Sequence, residues 1–253
     1  MTYRFTPEII HFFLIFCRLG ALFSLLPGVG EIAVPARIRL LLSLAVTFVI
    51  VPLVPIALEP GIRTPLGLSV ATTKELFIGF FVGTIARLIF MLLETAGSII
   101  SMQLGLSNAM IFNPAIATQG TLTGTLLTTG CLTIMMSFDL HHEIIRGLIG
   151  TYQLLPISAS LSFEDASYSL SSLVSQTFVL SLQLCAPFLI VGTMFQFSLG
   201  LLNRLMPQLQ IYFIAMPLQI MGGLVILWVT IGAISSLFIT HYLPKFSSAI
   251  GLG

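Results

Sequence analysis

Three intervals of this chain, Thr95 to Phe138, Ala166 to Asn203 and Leu205 to Pro244, each run for about 40 residues without an Asp, Glu, Lys or Arg. The outside of a water-soluble domain does not tolerate this, since about one residue in four of such a domain is charged. Across all 253 residues only 8% are charged and 57% are apolar, too little polar surface to coat a globule in water. The surroundings of the folded chain are therefore largely lipid or other apolar protein. Ten Lys and Arg against nine Asp and Glu leave a net charge of +1, without the basic field that nucleic-acid binding requires and without an acidic tail. Cys17, Cys131 and Cys185 lie singly in apolar runs and read as small core residues, having neither a metal-ligand spacing nor a disulfide framework.

Lipid offers the backbone no hydrogen-bond partner, so embedded segments are helices or closed barrels, and a spanning helix takes about 20 mostly apolar residues. The alternation of a barrel strand is missing, which predicts an all-α membrane protein. Ile9 to Leu26, Leu40 to Leu58 and Leu76 to Leu93 are each one span long, and each uncharged interval holds either two short helices or one long broken one. Arg18 interrupts the first apolar run and Pro27 ends it, unlike a cleaved signal peptide, so the N-terminus is expected to be retained. Arg37 and Arg39 favour a cytoplasmic loop after the first segment. No linker, low-complexity tract or exact repeat divides the chain, and the polar patch Ser158 to Ser172 is too short for a domain.

Small residues four apart let membrane helices approach closely. Such ladders recur at Gly79 and Gly83, at Gly97, Ser101 and Gly105, and at Gly120, Gly124 and Thr128. Glycine is also simply common in membrane helices, but three ladders favour a densely packed helical assembly. Pro52, Pro55, Pro187, Pro207 and Pro217 fall inside or at the edge of apolar runs, where proline removes an internal hydrogen bond and kinks or ends a helix. Charges within these runs are costly and need partners or a cavity. Arg87 and Glu94 share a helix face about 10 Å apart along the axis and reach for different partners. Arg18 is either a snorkelling side chain or half of a structural ion pair, and Arg204, with Gln208 and Gln210, belongs to a polar turn between two long apolar helices.

Little of the remaining polar chemistry is catalytic. Asp139, His141, His142, Glu143 and Arg146 hold metal-ligand types, but the zinc-protease pattern needs a second His four residues after the first, where this chain has Arg146. No Gly-x-Ser-x-Gly elbow, phosphate-binding glycine loop or Walker lysine is present, so neither an enzyme nor a cofactor is expected. Met102 to Gly120 is uncharged, yet Gly105, Asn108 and Asn113-Pro114 predict that the helix stops and the chain loops. Met102 and Met110 beside Ile111 and Phe112 form either a deformable apolar seal in a pore or part of an ordinary periplasmic loop.

The stretches RLGALFSLLPGVGEIAVPARIRLLLSLAVTFVIVPLVP, ETAGSIISMQLGLSNAMIFNPA, SFDLHHEIIRGLIGTYQLLP and GLLNRLMPQLQIYFIAMPLQIMGG together resemble the FliR family of flagellar biosynthetic proteins and its relatives in virulence injectisomes. The resemblance covers nearly the whole chain and leans flagellar at Met206 to Gln210. It implies a non-enzymatic subunit of the type III secretion export gate in the bacterial inner membrane, at the flagellar basal body. Its implied partners are FliP and FliQ subunits, FlhB and FlhA of the export apparatus, unfolded export substrates and membrane lipid. The implied architecture is a P-like portion over residues 1–183 followed by a Q-like helical hairpin over residues 184–253, with apolar faces buried by neighbouring subunits. By motif the family's plug loop falls on Leu106, Ser107, Asn108, Met110, Ile111, Phe112, Asn113 and Pro114; this chain has Asn108 and Ile111 where relatives often place bulkier aromatics, which shifts the implied seal toward Met110 and Phe112. From the residues alone the competing class is an ion-coupled secondary transporter, which also uses glycine- and proline-broken helices with buried charges.

Overall fold

The computed structural model describes residues 7–31, 33–54, 60–107, 120–154, 163–208 and 211–250. Among them the secondary structure is helical throughout: α1 (Pro7–Leu25), α2 (Ala36–Ile50), α3 (Pro65–Gln103), α4 (Leu122–Ser137), α5 (Leu140–Leu154), α6 (Phe163–Leu205) and α7 (Ile211–Ile250), with single 3-10 turns at Val51–Leu53 and Pro60–Arg63. Five of the helical segments are long and apolar enough to cross a membrane.

The segment boundaries follow from particular residues. Pro52 stands second in the 3-10 turn that follows α2, and α2 ends at Ile50 because proline brings no amide to carry its hydrogen bonds further. Helix α3 reaches well beyond the expected span, which the charges Lys74 and Glu75 bounded at Leu76. Those charges do not stop the helix, because Glu75 is fully buried against a cation. The second uncharged interval lies within one long helix, α6, and most of the third is taken up by α7, which starts at Ile211. Pro187 is carried inside α6 without ending it, leaving the Gln183 carbonyl without its usual amide donor. Asp139 turns the chain between α4 and α5 in the left-handed conformation, φ 56°, which its short polar side chain tolerates.

Two compact units are present. The first comprises residues 1–89, 138–173 and 243–253, and holds α1, α2, the first part of α3, α5, the start of α6 and the end of α7. Its core includes Leu14, Ile15, Leu19, Leu22, Ile78, Ile85 and Leu148. Phe12 of α1 meets Phe48 of α2 with ring centroids 4.9 Å apart, and His11 Nε2 lies 3.2 Å from the Val54 carbonyl. The second unit, residues 90–137 and 174–242, gathers the end of α3, α4 and most of α6 and α7 around Leu93, Ala96, Ile100, Leu127, Leu184 and Phe188. Phe90 and Phe238 pack edge to face at 5.3 Å, and Ser181 of α6 donates to the Leu92 carbonyl of α3 at 3.1 Å.

Burial is uneven. In the most apolar stretches of α1 and α3, 56% of residues are buried, against 17% in α2 and in α7. Phe178, Met194, Phe197, Phe213, Met221 and Trp228 stand exposed along α6 and α7, Trp228 at 80%. Surface of that extent is compatible with lipid or partner protein as the medium, and not with water.

Candidate functional site

The sharpest polar arrangement lies in the first unit. Gly79 of α3 sits against α1 so closely that a Cβ there would stand 2.2 Å from the Arg18 carbonyl oxygen, and Gly83, one turn on, faces Leu22 and Leu25. This ladder draws the two backbones together, and Glu75, one turn before Gly79, then lies over Arg18. Arg18 Nε donates to Glu75 Oε2 at 2.5 Å and Nη2 to Oε1 at 2.9 Å, a two-pronged pair with neither side chain exposed. Helix α5 completes the enclosure: Arg18 Nη1 donates to Thr151 Oγ1 at 3.2 Å, and the guanidinium lies 3.9 Å from the centroid of the Tyr152 ring. Burial pushes the Tyr152 phenol above its ordinary range, against the lowering effect of nearby Arg18, so the ring faces the cation as the neutral species. The cluster is buried and holds one charge of each sign, and it ties α1, α3 and α5 together at one point.

In the second unit α3 crosses α4 at glycine. A Cβ on Gly97 would lie 2.3 Å from the Gly124 Cα, and Thr123 donates its hydroxyl to the Gly97 carbonyl. Ser101, one turn on, is buried. Gly105 is not a further rung of this ladder, a correction to the spacing argument: α3 ends at Gln103, and Gly105 adopts φ 74° beyond it. The Leu106 amide bonds back to the Ser101 carbonyl at 3.0 Å and the Gly105 amide to Met102 at 3.1 Å, a left-handed helix stop that only glycine makes without strain. Beside this stop Gln219 of α7 donates from Nε2 to the Gln103 carbonyl at 2.6 Å. A cavity of about 260 Å³ opens there, with Gln103, Leu104, Phe188, Gly192, Gln219 and Gly223 among its lining residues.

The remaining sequence candidates are dispersed. Leu106 and Ser107 are half-buried in the turn after α3, whereas Asn108, Met110, Ile111, Phe112, Asn113 and Pro114 lie outside the described residues. Arg87, Glu94, Arg204 and Gln208 are exposed on the single chain, and Gln210 lies outside the described residues. His142 Nδ1 is 3.7 Å from Asp139 Oδ1, both side chains being exposed, and no group of three metal-ligating side chains occurs among the described residues. Sequence reasoning passed over Glu75, Thr151, Tyr152, Gln103 and Gln219. Glu75 was accessible by one signal, the need of Arg18 for a partner, since few carboxylates occur in apolar runs.

Known proteins are similar in sequence to most of this chain. The sequence profile of bacterial export proteins, family 1, matches residues 9–243. The flagellar biosynthetic protein FliR of Caulobacter vibrioides is 37% identical over 229 residues, covering 90% of this chain and 91% of that protein. That of Escherichia coli is 31% identical over 207 residues, covering 82% and 78%. The Yop proteins translocation protein T of Yersinia pestis is 31% identical over 151 residues, covering 58% and 57%. A match from the first apolar helix to the last, on an all-helical fold with five apolar segments of spanning length, places the chain in the bacterial export proteins, family 1, to which it belongs alongside the FliR proteins.

Proposed function

We propose that the chain is a non-enzymatic subunit of the flagellar type III secretion export gate, forming with FliP and FliQ subunits the inner-membrane conduit for unfolded export substrates. The observation that carries this reading is the 37% identity to a flagellar biosynthetic protein across nine-tenths of both chains. The exposed apolar faces of α6 and α7 support it physically, since sister subunits would bury them. In this reading residues 1–183 are the P-like portion and residues 184–253 the Q-like hairpin, turning at Arg204 to Gln210. The exposed Arg87, Glu94, Arg204 and Gln208 find their partners on neighbouring subunits. Membrane lipid, FlhB and FlhA complete the surroundings.

Residues 106–114 then form the plug that keeps ions back while the conduit is idle. Replacing Met110, Ile111 and Phe112 together by glycine is expected to raise ion leak at least about ten-fold in cells whose gate complex still assembles. Ten-fold corresponds to about 1.4 kcal/mol, and a seal built on three apolar side chains loses well over that, at about 1.5–3 kcal/mol for each. Unchanged leak with intact complexes removes the plug assignment. The gate reading as a whole is checked by co-expression: the chain should purify stably with FliP and FliQ subunits. Solute transport by the chain alone in vesicles would overturn the gate in favour of a carrier.

A further inference from the structure

The end of α3 is held in an unusual way. The last carbonyls of a helix have no partner within it, and at this end the Gln103 carbonyl takes its hydrogen bond from the side chain of Gln219, across from α7. The two side chains that follow the helix axis out are seated on glycines of two other helices. A Cβ on Gly192 of α6 would stand 2.3 Å from Gln103 Oε1, and one on Gly223 of α7 would stand 1.7 Å from Leu104 Cδ2. Leu104 is 3% exposed, and the Gln219 amide also lies 3.6 Å from where a Cβ on Gly105 would be. The space around these contacts is not filled, because the cavity of about 260 Å³ borders the same residues. Where surrounding packing is incomplete, a hydrogen bond and a notch set the position that close packing sets elsewhere.

We propose that Gln219 is a positioning residue for the seal. Its amide, with the Gly223 notch that receives Leu104, fixes the end of α3 and hence the direction in which the chain departs into residues 106–114. The inference rests on the reading of that segment as the plug, and it assigns the Q-like hairpin the task of aiming it. Gln219 acts through Gln103 and touches no ion or export substrate.

The test uses the complex co-expressed with its FliP and FliQ partners, reading ion leak per assembled complex. Gln219→Glu keeps the shape of the side chain and, with leak read at alkaline pH so that the carboxyl is ionised, leaves only acceptors facing the Gln103 carbonyl. It is expected to raise leak about five-fold, the shift that loss of one hydrogen bond produces, with unchanged recovery of the complex. Gly223→Ala places a methyl against Leu104 Cδ2 and should also leak. Adding Leu104→Val removes the colliding methyl and should return leak to within about two-fold of the parent. Should Gln219→Glu fail to assemble, the Gly223→Ala pair decides: leak that Leu104→Val relieves supports the proposal, and parental leak in Gly223→Ala overturns it. Parental leak in assembled Gln219→Glu, while the triple glycine variant of residues 110–112 leaks, overturns the positioning role and leaves the plug standing. If neither leaks, the plug reading fails and the inference falls with it.

Discussion

Glu75→Leu is expected to destabilise the folded protein by about 3–5 kcal/mol, because it leaves the Arg18 guanidinium buried with no counter-charge. Thr151 and the Tyr152 ring remain beside Arg18, but a hydroxyl and a π-face do not replace a two-pronged carboxylate at 2.5 and 2.9 Å. The measurement is thermal melting of the co-expressed complex in detergent, where a loss of this size lowers the midpoint by about 10 °C or more. The double variant R18M/E75L removes both charges and sets a thioether against Tyr152, an arrangement that is itself favourable. It is expected to recover to within about 2 kcal/mol of the parent, since exchanging a buried ion pair for apolar side chains of similar volume is often neutral. A double variant as damaged as the single one would show that the charges are not coupled and that α1, α3 and α5 are joined by packing alone.

Gly97→Val should cost about 3 kcal/mol, the upper end of what overpacking costs, because the atoms in the way belong to the Gly124 backbone and not to a side chain that can turn aside. It also pushes Thr123 off the Gly97 carbonyl and so loses a buried hydrogen bond of about 1 kcal/mol. Gly130→Ala on α4 is the matched control: nothing stands within 4 Å of a Cβ there, and alanine should stabilise the helix by about 0.5–1 kcal/mol. Melting of both variants in the assembled complex checks the pair. Equal tolerance of the two would mean that α3 and α4 do not meet through Gly97 and Gly124.

The helical membrane class was readable directly, because charge-free runs of about 40 residues leave few alternatives. The ladders were readable as surfaces but not as pairs. Gly97 and Gly124 were found separately, and that they press on one another is a matter of tertiary crossing that spacing does not encode. Gly105 was readable in two ways, as a rung four residues after Ser101 and, with Asn108 and Asn113-Pro114, as a helix stop, and its φ of 74° makes it the stop. Arg18 announced its need for a partner through the cost of a charge among apolar neighbours, yet nothing local selects Glu75, 57 residues away. Gln219 carried no signal at all, since an uncharged amide in an apolar run has no spacing rule and its acceptor is a backbone group. Of the seal segment, only Leu106 and Ser107 are described, so its assignment rests on motif.

The Arg18 cluster also bears on how the protein is made. Glu75 and Thr151 follow Arg18 by 57 and 133 residues. At a translation rate of about 5–20 residues per second, the carboxylate leaves the ribosome about 3–11 s after the guanidinium, and the hydroxyl about 7–27 s after it. For that interval the nascent first helix carries a lone cation worth about 2.5–3.5 kcal/mol against membrane insertion. Until the third helix emerges that cost narrows the margin by which the apolar residues of the first helix favour insertion, which makes the insertion machinery, and not the finished fold, the first neighbour that this arginine meets.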